Sequence, residues 1–294
     1  MTTELKNKVA QVNSFIDESF DPKKGLEYHL SIQIGTESVW ITINEKLKNK
    51  YIAFENYKFE NVGSYNLMVD VIDLLLKESR LLAYKYKTVA CVMVNNLSTI
   101  IPTPLFEDSK KKMYLKFNAA IEEEEHLVMV DDLKSLDAKN IFALPLLLKE
   151  KFESLYSSVT YHHFSSALME GLLIQNKNQA NKKLFVHIQP ANFEAVLIEG
   201  KSLLFYNTFK YQTAEDFIYY LLFVCEQLQL NPENIEIILL GDIEKSSEVY
   251  SITQKYIRNL KFGERFDNSD YSYQLQTLPK HQYFTLFNGY LIKG

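Results

Sequence analysis

Cysteine and glycine are both scarce in this chain, and no apolar run is long. Cys91 and Cys225 are its only thiols; both lie in apolar segments, where a free thiol behaves as a small hydrophobe, so no disulfide framework is implied. Nine glycines in 294 residues is about 3%, against about 7% in ordinary proteins. That scarcity weighs against several glycine-rich loops of the kind that bring backbone NH groups onto phosphates. The longest apolar run, Phe217 to Cys225, falls far short of the roughly 20 residues of a membrane span. Met1 to Gln11 is polar and has no apolar core of a signal peptide, so a cytoplasmic location without membrane insertion is expected. Excess positive charge is missing too: the net charge is −5, which offers no electrostatic footprint for nucleic acid. Lys110-Lys111-Lys112 is short and reads as a solvated helix face.

What is abundant is apolar and aromatic material, 47% and 13% of the residues, enough for one large domain or two of ordinary size. It is arranged in a pattern that occurs twice. The first copy reads His29-Leu30-Ser31-Ile32-Gln33-Ile34-Gly35, then a hairpin strand, then Ala53 to Phe59 with Tyr57-Lys58-Phe59 at its end. The second reads Phe185-Val186-His187-Ile188-Gln189-Pro190-Ala191, then a hairpin strand, then Phe205 to Tyr211 with Phe209-Lys210-Tyr211 at its end. Each copy leads into a long apolar helix and a buried strand, which implies a duplicated α/β unit with a cleft between the halves.

The first 25 residues read as a lead-in that ends at the turn signal Asp21-Pro22-Lys23-Lys24-Gly25. Strands are expected at 26–34, 37–43 and 50–59, a helix capped by Ser64 or Asn66, and a doubly buried strand at 88–94. Pro102 and Pro104 make 98–106 irregular or an edge. A helix at 108–119, a strand at 126–131, a helix from Pro145 to about Tyr156, a short strand at 159–162 and a helix at 165–174 follow. Gln175 to Lys183 reads as a linker, so the division expected is 1–175 and 176–294. The second half then shows strands at 184–189, 193–199 and 202–211. A helix follows at 214–229, started by Thr213 and Asp216 in a capping box, then a buried strand from Ile235 to Leu240 and a helix from Ser246 to Leu260. The 214–229 helix is apolar nearly all round, which predicts burial on more than one side.

This order of elements, with the Gly35 hairpin and the strand ending Leu239-Leu240-Gly241-Asp242, resembles the actin-like ATPase fold of two ribonuclease-H-like modules. Over about residues 26–294 the chain is similar to an uncharacterised bacterial family, best represented in Bacteroidota, that has this fold. The second half resembles in layout the cytoplasmic actin-like proteins of pilus and secretion machines. The resemblance implies that active members carry an Asp-x-Gly hairpin in each half for the metal and phosphates, and a glycine pair after a buried strand for the adenosine. Here the first hairpin is Gln33-Ile34-Gly35-Thr36 and the second Gln189-Pro190-Ala191-Asn192, with Gln189 aligned to Gln33; Gly241-Asp242 is half of the glycine pair. An amide cannot offset a magnesium ion's charge as a carboxylate does. Gln33, Gly35, Thr36, Gln189, Asn192, Gly241 and Asp242 are therefore degenerate positions of a nucleotide site, and no catalytic residue, metal or cofactor is expected.

Other chemistry is sparse. Of six histidines, only His162-His163 are adjacent, and a strand would point them opposite ways. Glu122 to Glu125 before His126 reads as a solvated loop, and Asp131-Asp132 as a cap or turn. Gln33 and Gln189 contact a neutral polar ligand, each other, or loop backbone. The third strands of both copies are expected at sheet edges, where Leu204 and Tyr206 would face a partner strand or protein. The function these observations favour is a pseudo-ATPase, a non-catalytic binding or scaffold protein with a protein partner. The alternative is an unconventional nucleotide-dependent ATPase or kinase that uses Asp131, Asp132 or Asp242.

Overall fold

A computed structural model describes residues 8–60, 63–265 and 269–289. In chain order the first stretch forms β1 (Val9–Ile16), β2 (Tyr28–Ile34), β3 (Ser38–Glu45), β4 (Lys50–Phe59), α1 (Tyr65–Glu78), β5 (Thr88–Met93), β6 (Ser98–Pro102) and α2 (Lys111–Asn118). Then come β7 (His126–Leu133), β8 (Ala138–Pro145), α3 (Leu146–Leu155), β9 (Val159–His163) and α4 (Phe164–Asn176). The remainder forms β10 (Lys182–Ile188), β11 (Asn192–Glu199), β12 (Ser202–Lys210), α5 (Ala214–Gln227), β13 (Glu236–Gly241), α6 (Glu248–Tyr256), β14 (Asn259–Phe262), β15 (Asp270–Tyr271), α7 (Tyr273–Gln276) and α8 (Phe284–Asn288). Two compact units result. The first holds the described residues up to Glu170 and those of 267–278 and 288–294; the second holds the described residues of 171–266 and 279–287.

In the first unit a sheet runs in the order β1-β4-β3-β2-β5-β9, with β15 alongside β4. Strands β2, β3 and β4 pair antiparallel, and β5 and β9 continue parallel to β2. Leu30, Ile32 and Ile34 of β2, with Val39, Ile41 and Ile43 of β3, send alternate side chains into one apolar core. Ser64 caps α1 by accepting from the Leu67 NH, and the helix buries Met68, Val71, Ile72 and Leu75. A three-stranded sheet, β6-β8-β7, carries a smaller core around Leu115, Val128 and Ile141. β6 lies at its edge, as a strand ending in proline must.

The second unit repeats the frame. Its sheet runs β12-β11-β10-β13-β14, the first three antiparallel and the last two parallel to β10. The capping box at α5 is complete: the Thr213 hydroxyl accepts from the Asp216 NH at 3.1 Å, and the Asp216 carboxylate accepts from the Thr213 NH at 3.1 Å.

Five points need correction. The supposed lead-in contains β1, which pairs antiparallel with β4 from Val9↔Phe59 to Ile16↔Ala53. The third strand of the first copy is therefore no edge, whereas β12 pairs with β11 alone among the described residues. Residues 138–145 form a strand that local pattern does not announce, and the helix expected to reach Leu260 stops at Tyr256, after which β14 joins β13. Finally, α5 buries Phe217, Ile218, Leu221, Val224 and Cys225 on one broad side, while Tyr219 and Phe223 are 65% and 42% exposed.

Candidate functional site

The two β-hairpins that the sequence singles out have the same ladder. In the first, Ile34 pairs with Val39, the Gly35 NH donates to the Ser38 carbonyl at 2.9 Å, and the Val94 NH donates to the Ile34 carbonyl at 2.8 Å. In the second, Ile188 pairs with Phe193, the Gln189 NH donates to the Asn192 carbonyl at 2.9 Å, and the Asp242 NH donates to the Ile188 carbonyl at 2.8 Å. Matching these bonds makes Gln33 equivalent to His187, Gly35 to Gln189, Ser38 to Asn192, and Val94 to Asp242.

The alignment of Gln33 with Gln189 is thus two residues out. A shift of two keeps every side chain on its face, so alternation could not reveal it. The second hairpin reads His187-Ile188-Gln189 in the places of Gln33-Ile34-Gly35. An imidazole and an amide stand at the paired positions, and the only glycine of the two turns is in the first. Gly35 has ordinary room, since an added Cβ would lie 3.6 Å from Val94.

The structure brings Gln189 and Asn192 together around a carboxylate that the sequence reading passed over, while Gly241 and Asp242 lie against the Ile188 backbone of the same hairpin. Glu194, in the register position opposite His187, is completely buried. His187 Nδ1 lies 2.9 Å from Glu194 Oε2, the Asn192 amide donates to Oε1 at 2.9 Å, and the Gln189 amide donates to both oxygens at 3.2 and 3.1 Å. A carboxylate has about four lone-pair sites, and these three side chains engage all of them. The signal was there: one acid inside the apolar run Phe193 to Ile198, across the hairpin from His187.

Tyr211 seals the turn by donating to the Gln189 carbonyl at 2.7 Å. Burial, then the charges of Asp242 and Glu194, push its phenol up to about 12. Gly241 is required by backbone approach: its φ is +85°, its NH donates to the His281 carbonyl at 3.0 Å, and a Cβ would meet the Ile188 oxygen at 2.2 Å. The Asp242 side chain is exposed.

In the first unit Gln33 is 5% exposed on β2, while Thr36 in the adjoining turn borders a groove of about 710 Å³. The groove is walled by Tyr65 and Met68 of α1, Glu124 and Glu125, and Leu147 and Glu150 of α3. The loop acids singled out by the sequence therefore do meet a cavity.

The remaining candidate acids are committed elsewhere. Asp131 is 3% exposed; it faces His162 Nδ1 at 2.8 Å and accepts from the His163 NH at 2.8 Å and the Ser166 hydroxyl at 2.7 Å. It ties β7 to β9 and the start of α4. The two histidines do diverge: His162 bonds Asp131, while His163 donates through Nε2 to the Asn95 carbonyl at 3.0 Å and lies tilted against Phe142. Burial drives the His163 pKa down to about 4. Asp132 pairs with Lys139 at the surface. Among the described residues, no group of three acidic, imidazole or thiol side chains is placed to hold a metal ion.

Two units built on one strand order, each an antiparallel trio extended by two parallel strands, define the actin-like ATPase fold. A solved protein from Bacteroides thetaiotaomicron, described as having that fold and unknown function, is similar with a TM-score of 0.74 and 24% identity, over 88% of this chain and 98% of that one. A PilM-PilN type IV pilus biogenesis complex is similar with a TM-score of 0.58 and 12% identity, over 90% and 97%. The chain belongs to the family described as protein of unknown function DUF3822, whose model matches residues 17–260. No curated protein matches it.

Proposed function

We propose that this chain is a non-catalytic binding or scaffold protein on an actin-like ATPase frame, working in the cytoplasm with a protein partner. The observation that carries the reading is the pair of hairpins. Where ATPases of this fold are expected to place two carboxylates, this chain has Gln33 and His187, and the buried acid beside them in the second hairpin, Glu194, is enclosed by His187, Gln189 and Asn192. A magnesium ion takes carboxylate, phosphate and water oxygens, and neither Gln33 nor His187, at the paired hairpin positions, offers it a carboxylate. Glu194 could serve a metal only by abandoning three partners, the buried His187 and the half-buried Gln189 and Asn192.

The alternative nucleotide enzyme would rely on Asp131, Asp132 or Asp242. The bonds of Asp131 and the Lys139 pairing of Asp132 speak against it. No helix among the described residues is long and apolar enough to cross a membrane, and the net charge of −5 disfavours a nucleic-acid partner. The test is a calorimetric titration of the full chain with ATP and Mg²⁺. The expected result is no metal-dependent heat; tight, magnesium-dependent binding would overturn the proposal.

A further inference from the structure

The groove beside Thr36 gathers three acids along one concave surface. Some nearby acids are matched: Glu123 by Lys112 and Lys116, Glu153 by Lys149, Asp73 by Lys151. Glu124, Glu125 and Glu150 line the groove exposed, and among the described residues none has a cationic partner. The lysines of α3 nearest to Glu150 in sequence, Lys149 and Lys151, are the ones bound to Glu153 and Asp73. Two helices, α1 and α3, begin at the groove, and each N-terminus supplies about half a positive charge. Against three carboxylates that leaves about two negative charges uncompensated. The field is felt within the groove, since the Tyr65 phenol is raised first by burial and then by Glu125.

The acids come from two separate elements, the loop before β7 and α3, and they do not converge on one point as metal ligands would. The wall between them is mixed, and its accessible aliphatic surface comes from the half-buried Leu146 and a 41% exposed Leu147. Spread negative charge over an aliphatic surface is complementary to several cationic side chains on one chain interspersed with aliphatic ones. A polyphosphate would be repelled by the same charges.

We infer that this groove of the first unit docks a short peptide segment of another protein that carries two or more lysines or arginines among aliphatic residues. This names the partner class for the binding role proposed above, and rests on it. The cations would pair with Glu124, Glu125 and Glu150, and the aliphatic side chains would lie on Leu146 and Leu147.

The probe is a fluorescein-labelled dodecapeptide of alternating lysine and leucine pairs, followed by fluorescence anisotropy with the full chain. A peptide with glutamate in place of lysine is the control ligand. The triple variant Glu124→Gln, Glu125→Gln, Glu150→Gln is compared with a charge-matched triple at exposed sites elsewhere, Glu18→Gln, Glu199→Gln, Glu226→Gln, with thermal melts verifying that both fold. The groove triple is expected to bind about tenfold more weakly, the matched triple as wild type, and wild-type affinity to fall as salt rises. Equal weakening by both triples, no weakening by the groove triple, equal binding of the glutamate peptide, or no binding of the lysine probe would each overturn the inference. A parallel titration with ATP and Mg²⁺ separates the two claims: a silent titration beside a failed peptide sinks only the groove, whereas tight nucleotide binding sinks the binding role itself.

Discussion

Replacing Glu194 by alanine would leave His187, Gln189 and Asn192 without the carboxylate that their polar atoms surround. Leaving a buried polar group without its partner costs about 1–3 kcal/mol, so Glu194→Ala should lower the midpoint of urea unfolding. Glu194→Gln keeps the volume and one acceptor oxygen and should cost less. The two hairpin-associated glycines offer a second contrast. Gly35→Ala should change stability by less than about 1 kcal/mol, because the new methyl meets ordinary contacts. Gly241→Ala should cost several times more, because φ is +85° and the methyl would overlap the Ile188 backbone. Comparable unfolding midpoints for the two variants would refute that distinction.

At the level of the element, the units differ at the outer edge of their third strand. β1 covers β4, and Gln11 on β1 donates to the Tyr57 hydroxyl at 2.8 Å, which in turn donates to the buried Glu55 at 3.1 Å. β12 has no such cover among the described residues, and its Leu204 is 44% exposed. Helix α5 depends on its start. Its capping box joins two reciprocal hydrogen bonds, and Thr213→Ala should destabilise the chain by about 1 kcal/mol. A chemical-denaturation curve superimposable on wild type would argue that the packed side of α5, Phe217 to Cys225, holds the helix without its cap.

For the whole molecule, stability should fall on acidification. His29 and His163 have an ordinary pKa of 6.5, and burial pushes both down to about 4; His281 moves the same way. The unfolded chain takes up these protons below its ordinary pKa while the folded chain does not. Stability is therefore fully present above pH 6.5 and is lost as pH falls toward 4. For His163, whose Nδ1 accepts from the Ser165 NH at 3.3 Å and whose Nε2 donates to Asn95, the loss amounts to a few kcal/mol. His163→Gln should reduce the slope of stability against pH in that window, read from urea midpoints at neutral and acidic pH. An unchanged slope would refute the assignment.

Much of the architecture was legible in the residues because it is locally encoded. Alternation announced β3, the Thr213–Asp216 spacing announced the start of α5, and recurrence of one motif announced the duplication. What escaped depends on residues distant in the chain. β1 is a strand because β4 lies beside it, and β14 because β13 does. Glu194 reads as one acid in a strand until the hairpin ladder sets it opposite His187, and the ladder, not the letters, makes Gln33 the counterpart of His187. Side-chain period and capping are properties of a few consecutive residues. Register, burial of a charge and the gathering of three unpaired acids around a groove exist only once separate segments have packed.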